Sequence, residues 1–351
     1  MRRILPVRLM TALSILCLYG GGFPPSATAA TQSSNPAFED SLDEANALLK
    51  KRRYEEAIKA FKKANKLVQD SSPDCYLGLA QAFSRLEAHK NVIDSVERLL
   101  RLNPGDNFRA QGLNMKGIAQ VALSDNKPEK LREAVATFRE GLKLDEDLAI
   151  LHFNLGYTLL KLQLEPEGKQ ELEEYLELAP TGPFADDARR YIENPRRARE
   201  SYAPEFSLTT MQGEYLSIED LAGKVVLLDF WATWCGPCVE SVPVLKRFYQ
   251  KFPRDRFVLI SVSVDDDESA WREFIAKKKM DWPQFLDDEN DLQRKFFPGR
   301  GIALPTYMVI DAEGIIRTRV VGAGIYQNAS LEDEIKKWLK ASSPSTQKKG
   351  S

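Results

Sequence analysis

Cys235 and Cys238 are separated by Gly236-Pro237 and preceded by the apolar run Val225-Val226-Leu227-Leu228-Asp229-Phe230. A buried strand running into Cys-x-x-Cys at the start of a helix is a thiol–disulfide exchange pattern. Unpaired N–H groups at a helix N-terminus carry partial positive charge, which favours a thiolate at Cys235. Cys238 lies one turn deeper and can close a disulfide with it. The expected chemistry is the movement of electron pairs between disulfides. A structural zinc site would need two or more further ligands. The sequence has only His89 and His152, both in helical repeats, and no second cysteine pair. No metal and no dissociable cofactor are expected. Asp229 stands within the apolar run, where a carboxylate is costly unless it has a task.

The elements that must hold these residues belong to a chain of 351 residues with 28% charged and 43% hydrophobic residues, which suits a soluble protein of two domains. A formal net charge of -2 gives no electrostatic footprint for nucleic acid, and none is expected as a partner. Residues 1–30 differ from the rest: Arg2, Arg3 and Arg8 form a basic start, Leu9 to Tyr19 are mostly apolar, and Ala27-Thr28-Ala29-Ala30 are small. That is the build of a secretory signal peptide cleaved near Ala29 or Ala30. An uncleaved anchor is the alternative, although the apolar run falls short of the roughly 18 residues that span a bilayer. A lipid-modified Cys17 is a further alternative, against which stands the large Leu16 before it. The mature protein is expected outside the cytoplasm, in a bacterial periplasm or cell envelope. It would keep Cys75, Cys235 and Cys238. Secreted disulfide scaffolds use more cysteines, evenly paired, so the 235–238 pair reads as chemical. Cys75, on an apolar helix, reads as a small buried hydrophobe.

From 38 to 194 the pattern is helical and repeats. Tyr54, Ala57, Phe61 and Ala64 mark a second helix of the first unit, and Tyr76, Leu79, Ala80, Phe83, Val92, Val96, Leu99 and Pro104 mark the next unit. Leu113, Gly117, Ala134, Phe138 and Gly141 form a third, with an insertion at Asp125-Asn126-Lys127-Pro128. Leu155-Gly156, Leu159, Gly168, Leu172, Tyr175 and Pro180 form a fourth, and Pro183 to Ile192 reads as a capping helix. The region resembles the tetratricopeptide repeat, of period about 34 residues. Gly168 departs from it by replacing the usual small alanine. Each unit alone cannot bury its apolar face, so stacking gives one continuous core and an all-α solenoid. The resemblance implies a protein or peptide partner on this region.

Residues 195–202 read as a charged linker, and 342–351 as a polar tail. Between them, 203–341 has an α/β pattern. A hairpin around Gly213 joins Phe206–Leu208 to Tyr215–Ile218. The strand 225–230, helix 236–252, strand 257–264, helix 269–279, strands 306–310 and 315–320 and helix 331–340 follow. An extra segment, Trp282 to Phe297, carries its own short helix. Ala203-Pro204-x-Phe206-x-Leu208, Leu221-x-Gly223-Lys224, Trp231-Ala232-Thr233-Trp234-Cys235-Gly236-Pro237-Cys238, Pro243 and Leu304-Pro305-Thr306 together resemble the thioredoxin superfamily, and within it the extracytoplasmic TlpA/ResA-like branch. The resemblance implies an α/β thioredoxin-like domain with a central mixed sheet.

It also implies roles. Cys235 attacks, Cys238 resolves the mixed disulfide, and Asp229 lies beneath Cys238 and takes its proton. Leu304-Pro305-Thr306 resembles the cis-proline loop facing the disulfide, where Leu304 pairs its backbone with an extended substrate. Trp234, Gly236 and Pro237 complete the expected substrate surface, while Trp231 reads as core. Pro243 is expected to kink the active-site helix. Many TlpA/ResA-like proteins carry a Glu three residues past the second cysteine, where this chain has Ser241; Glu240 is expected to be solvated. Asp265-Asp266-Asp267-Glu268 is read as capping the following helix. The expected partners are protein thiols and disulfides, with a membrane electron-donor protein implied by the family. Rival readings keep the same cysteines as an oxidase or isomerase, or make the redox domain an accessory to a repeat-based assembly factor. A peroxiredoxin-like peroxidase is disfavoured, because Thr233-Trp234-Cys235 lacks the Pro-x-x-x-Thr-x-x-Cys spacing.

Overall fold

The computed structural model describes residues 35–299, 301–322 and 329–342, which divide into two compact units at Arg199/Glu200. The expected leader, 1–30, and all but the first residue of the expected tail, 342–351, lie outside the described residues. Among the described residues, no helix is long and apolar enough to cross a membrane.

The first unit is a run of antiparallel helices: α1 (Pro36–Lys50), α2 (Tyr54–Leu67), α3 (Pro73–Arg85), α4 (His89–Arg101), α5 (Asp106–Leu123), α6 (Pro128–Leu142), α7 (Ala149–Lys161), α8 (Glu165–Leu178) and α9 (Ala185–Glu193). Local chemistry sets several of their starts. The side chains of Asn35 and Ser72 accept N–H bonds from Phe38 and Cys75, and Pro36, Pro73 and Pro128 occupy first helical positions, where no N–H is needed. The insertion of the third unit is the turn between α5 and α6, where Asp125 and Asn126 adopt left-handed backbone. Gly168 has a steric reason: a Cβ there would meet the Gly156 carbonyl oxygen at 3.0 Å, and one on Gly156 would meet the Gly168 oxygen at 2.8 Å. The two glycines let the backbones of α7 and α8 touch. Phe153, Tyr175, Phe184 and Tyr191 then close the last layer against α9.

The second unit begins with the β1 (Ser207–Thr209) and β2 (Tyr215–Ser217) hairpin. Its main sheet contains β3 (Val225–Trp231), β4 (Phe257–Ser263), β5 (Gln284–Leu286), β6 (Thr306–Ile310) and β7 (Ile316–Val321), in spatial order β5-β4-β3-β6-β7. The β3–β4 and β4–β5 pairs are parallel, whereas β3–β6 and β6–β7 are antiparallel, so the sheet is mixed. All seven residues of central β3 are buried, as expected for a strand covered on both faces. Side-chain alternation splits them: Val225, Leu227 and Trp231 join a core with apolar residues of α10 (Gly236–Lys251), α11 (Glu268–Lys278) and α13 (Ala329–Ala341), while Val226, Leu228 and Phe230 pack with Phe206, Leu208 and α12 (Asp291–Phe296).

The structure adds detail to two local readings. The extra segment Trp282–Phe297 holds a strand as well as a helix: β5 is only three residues long and has no alternation to read, yet it pairs with Ser261–Ser263. Residues 195–202, read as a charged linker, include a short folded turn. Pro195–Ala198 form a 3-10 turn capped by Asn194, with Ala198 fully buried in the repeat unit. In the second unit, Ser201 accepts the N–H of Ile316 and Tyr202 bridges to Ile315.

Candidate active site

Cys235 occupies the N-cap position of α10 in extended backbone, and its Sγ accepts the Cys238 N–H at 3.3 Å. Any negative charge on that sulfur therefore faces the positive end of the helix. The sulfurs of Cys235 and Cys238 are joined in a disulfide. Cys235 and Cys238 are both buried, at 7% and 2% exposed, and of the two Cys235 lines the groove described next. Pro243 is accommodated within α10, which runs on to Lys251. Ser241 is buried and its hydroxyl donates to the Cys238 carbonyl at 2.6 Å, whereas Glu240 is exposed.

Beside Cys235 opens a groove of about 500 Å³ lined by Trp234, Cys235, Val264, Asn290, Gln293, Ile302 and Leu304. Trp234 is 68% exposed, unlike buried Trp231. Leu304 precedes Pro305 across a cis peptide bond. Gly236 and Pro237 are exposed at the head of α10, but they do not line the groove. Neither do Pro305 and Thr306, which are buried; the Thr306 hydroxyl donates to the Ala303 carbonyl at 2.6 Å. Among the described residues, no charged side chain lines this groove.

Asp229 is 1% exposed. Its place in β3 has the same parity as Val225, Leu227 and Trp231, so it lies on the face that holds Cys235 and Cys238. Ser261, its register partner on β4, donates its hydroxyl to Asp229 Oδ2 at 2.8 Å, and Oδ1 has no hydrogen-bond partner among the described residues. Burial pushes the carboxyl up to about 7, against the opposing effect of the Ser261 hydrogen bond. A group of this kind can exchange a proton near neutral pH.

The acidic run after β4 divides its work. Asp267 caps α11 by accepting the Ala270 N–H at 3.0 Å. Asp265, in contrast, is 4% exposed and reaches back to the segment before Cys235. It accepts the Thr233 N–H at 3.0 and 3.1 Å, the Thr233 hydroxyl at 2.6 Å and the Ser263 hydroxyl at 2.6 Å. It is a brace for the cysteine loop rather than a helix cap, because β4 ends beside β3 and turns Asp265 toward Thr233. Sequence reasoning missed this contact, and with it Ser261, Asn290, Gln293 and Ile302. The carboxylate of Asp265 in an acidic surface run carried no sign of its burial. No group of His, Cys, Asp and Glu suited to a metal ion occurs among the described residues.

Comparison with known proteins finds relatives for both parts of the chain. Residues 200–319 match the AhpC/TSA family, and residues 42–107 match the tetratricopeptide repeat. A thiol-disulfide oxidoreductase ResA of Bacillus cereus is 30% identical over 120 residues, covering 34% of this chain and 68% of that protein. The chain belongs to the ResA-like thiol-disulfide oxidoreductases. The thioredoxin-like protein YneN of Bacillus subtilis is 32% identical over 123 residues, covering 34% of this chain and 69% of its own length. A solved thiol-disulfide oxidoreductase from Bacteroides fragilis is 29% identical, with 39% of this chain and 98% of that chain covered and a TM-score of 0.34. As a member of this family, the protein is a disulfide oxidoreductase with a thioredoxin-like fold, preceded by tetratricopeptide repeats.

Proposed function

We propose that this protein is an exported reductase of protein disulfides, working through the Cys235–Cys238 dithiol. The observation that carries this is one arrangement: a disulfide at the head of α10, its outer sulfur beside a neutral groove and its inner sulfur on the same face as a buried carboxyl. In the reduced protein the Cys235 thiolate attacks one sulfur of a substrate disulfide. A mixed disulfide forms, and the first substrate thiolate leaves and takes a proton from solvent. Cys238 then gives its proton to Asp229 and attacks Cys235 Sγ. The mixed disulfide breaks, the second substrate thiolate leaves, and it is protonated in turn. Two electrons have passed to the substrate, and Cys235–Cys238 is a disulfide again.

Trp234, Ile302 and Leu304 supply apolar contact for an extended segment carrying the substrate disulfide, and Asn290 and Gln293 supply neutral polar contact. The reducing direction is supported by Gly236-Pro237, the pair found between the cysteines of reducing thioredoxins, whose potentials lie near roughly -270 mV. Export is supported by the basic, apolar and small-residue blocks of residues 1–30. Outside the cytoplasm the dithiol must be regenerated, a role that family analogy gives to a membrane electron-donor protein. The repeat unit holds a protein or peptide partner.

A Cys238→Ser chain tests the reading. It should accumulate mixed disulfides between Cys235 and substrate proteins, visible on non-reducing gels and reversed by dithiothreitol. Absence of such adducts, with insulin reduction retained, would sink the proposal.

A further inference from the structure

Ser261 is fully buried and hydrogen-bonded on both sides. It donates to Asp229 Oδ2 at 2.8 Å and accepts the indole N–H of Trp282 at 2.8 Å. With Asp229 ionised, and so able only to accept, the chemistry of the partners fixes the direction of both bonds. An indole N–H can only donate, so it takes the serine oxygen as acceptor, and the hydroxyl proton is left for the carboxyl. Trp282 is itself 1% exposed, in the segment just before β5. A buried donor of this kind is held in place by packing and polarises the hydroxyl it meets.

We propose that Trp282 and Ser261 are positioning residues for Asp229: the indole commits the serine proton to Oδ2, which leaves Oδ1 as the open acceptor for the Cys238 thiol proton. This rests on the reading of Asp229 as the proton acceptor in the resolving step. The relay is neutral. From the elements packed on this face, the titratable groups among the described residues are Cys235, Cys238 and Tyr249 on α10, the last with its ring centroid 5.9 Å from that of Trp282, and Tyr307 on β6; β5 brings the Gln284 amide, and α11 and α13 bring apolar side chains. The buried carboxylate past the end of β4, Asp265, is engaged by Thr233 and Ser263. Burial and the Ser261 bond are the influences acting on Asp229. The serine bond therefore sets how far toward neutral pH the acceptor titrates.

The test is stopped-flow reaction of the reduced full chain, in a Cys17→Ser background, with 5,5′-dithiobis(2-nitrobenzoate). Attack by Cys235 releases the first thionitrobenzoate, and attack by Cys238 on the resulting mixed disulfide releases the second. The rate of the second release is followed between pH 5 and 9. It should rise through an inflection near neutral pH as Asp229 ionises. Ser261→Ala removes a hydrogen bond to a charged group and should move the inflection up by about 1–2 pH units. Ser261→Thr keeps the hydroxyl and should restore the original position. Trp282→Phe removes the polarising donor and should move the inflection the same way by less. An inflection in Ser261→Ala at the original pH overturns the relay, as does one in Trp282→Phe at or below it. Asp229→Asn separates the two levels: it should abolish the inflection, and if the inflection survives, the role of Asp229 itself fails.

Discussion

Replacing Asp229 by Asn should change how the stability of the thioredoxin-like unit depends on pH. In the folded protein the Asp229 carboxyl is pushed from an ordinary 3.8 to about 7 by burial. The folded state therefore binds more protons than the unfolded state between those values, and the stability Asp229 contributes falls as pH rises. That contribution is fully present below about pH 4 and gone above about pH 7. A rise of about 3 pKa units, at 1.36 kcal/mol each, makes the loss about 4 kcal/mol. Asn does not titrate, so the difference between variant and parent should shift by this amount in favour of the variant from pH 4 to pH 8. The constant offset from rearranged hydrogen bonds cancels in this comparison. The assay is urea unfolding of the oxidised protein, which keeps Cys238 from titrating alongside Asp229. Tryptophan fluorescence isolates the right unit, because all five tryptophans (Trp231, Trp234, Trp271, Trp282 and Trp338) follow Arg199. Parallel pH profiles for parent and variant would refute the reasoning, since Asp229 would then be as easily ionised folded as unfolded.

Other substitutions read other parts of the structure. Asp265→Ala strands the donors of part-buried Thr233 and buried Ser263 and should destabilise the same unit by about 2 kcal/mol, measured by the same urea transitions. Gly156→Ala should lower the thermal midpoint seen by far-UV circular dichroism. Its Cβ would meet the Gly168 oxygen at 2.8 Å; a backbone atom cannot swing aside, which puts the cost in the upper part of the usual overpacking range of about 1–3 kcal/mol, above the roughly 1 kcal/mol gained in helix propensity. The Cys75 thiol is fully buried and pushed by that burial to about 11, so it should resist N-ethylmaleimide at pH 8 until urea is added, as mass spectrometry can count.

The features legible in the sequence are those whose physics is local. Cys-Gly-Pro-Cys after an apolar strand, the helical periodicity of the repeats, and the Leu304-Pro305 step each lie within a few consecutive residues. Asp229 stood out because a carboxylate in an apolar run is anomalous on its face. What could not be read depends on strand register. Ser261 meets Asp229 across 32 residues of sequence because β3 and β4 pair in parallel, and Trp282 reaches Ser261 only after α11 has been traversed. Asp265 and Asp267 are the same residue type two positions apart, yet one braces the cysteine loop and the other caps a helix. Composition cannot separate them, since the difference is where β4 ends relative to β3. The groove residues Asn290 and Gln293 were hidden for a similar reason: ordinary surface amides acquire a role only when the segment after β5 is set beside Trp234.

The most direct measurement is a redox titration of Cys235 and Cys238, trapping free thiols across a graded dithiothreitol series. A reversible two-electron transition is expected near the reducing thioredoxins, at roughly -270 mV. A potential near roughly -120 mV would make the protein an oxidant and contradict the direction assigned here. A pair with no reversible transition would contradict the exchange chemistry itself and leave the repeats as the main function.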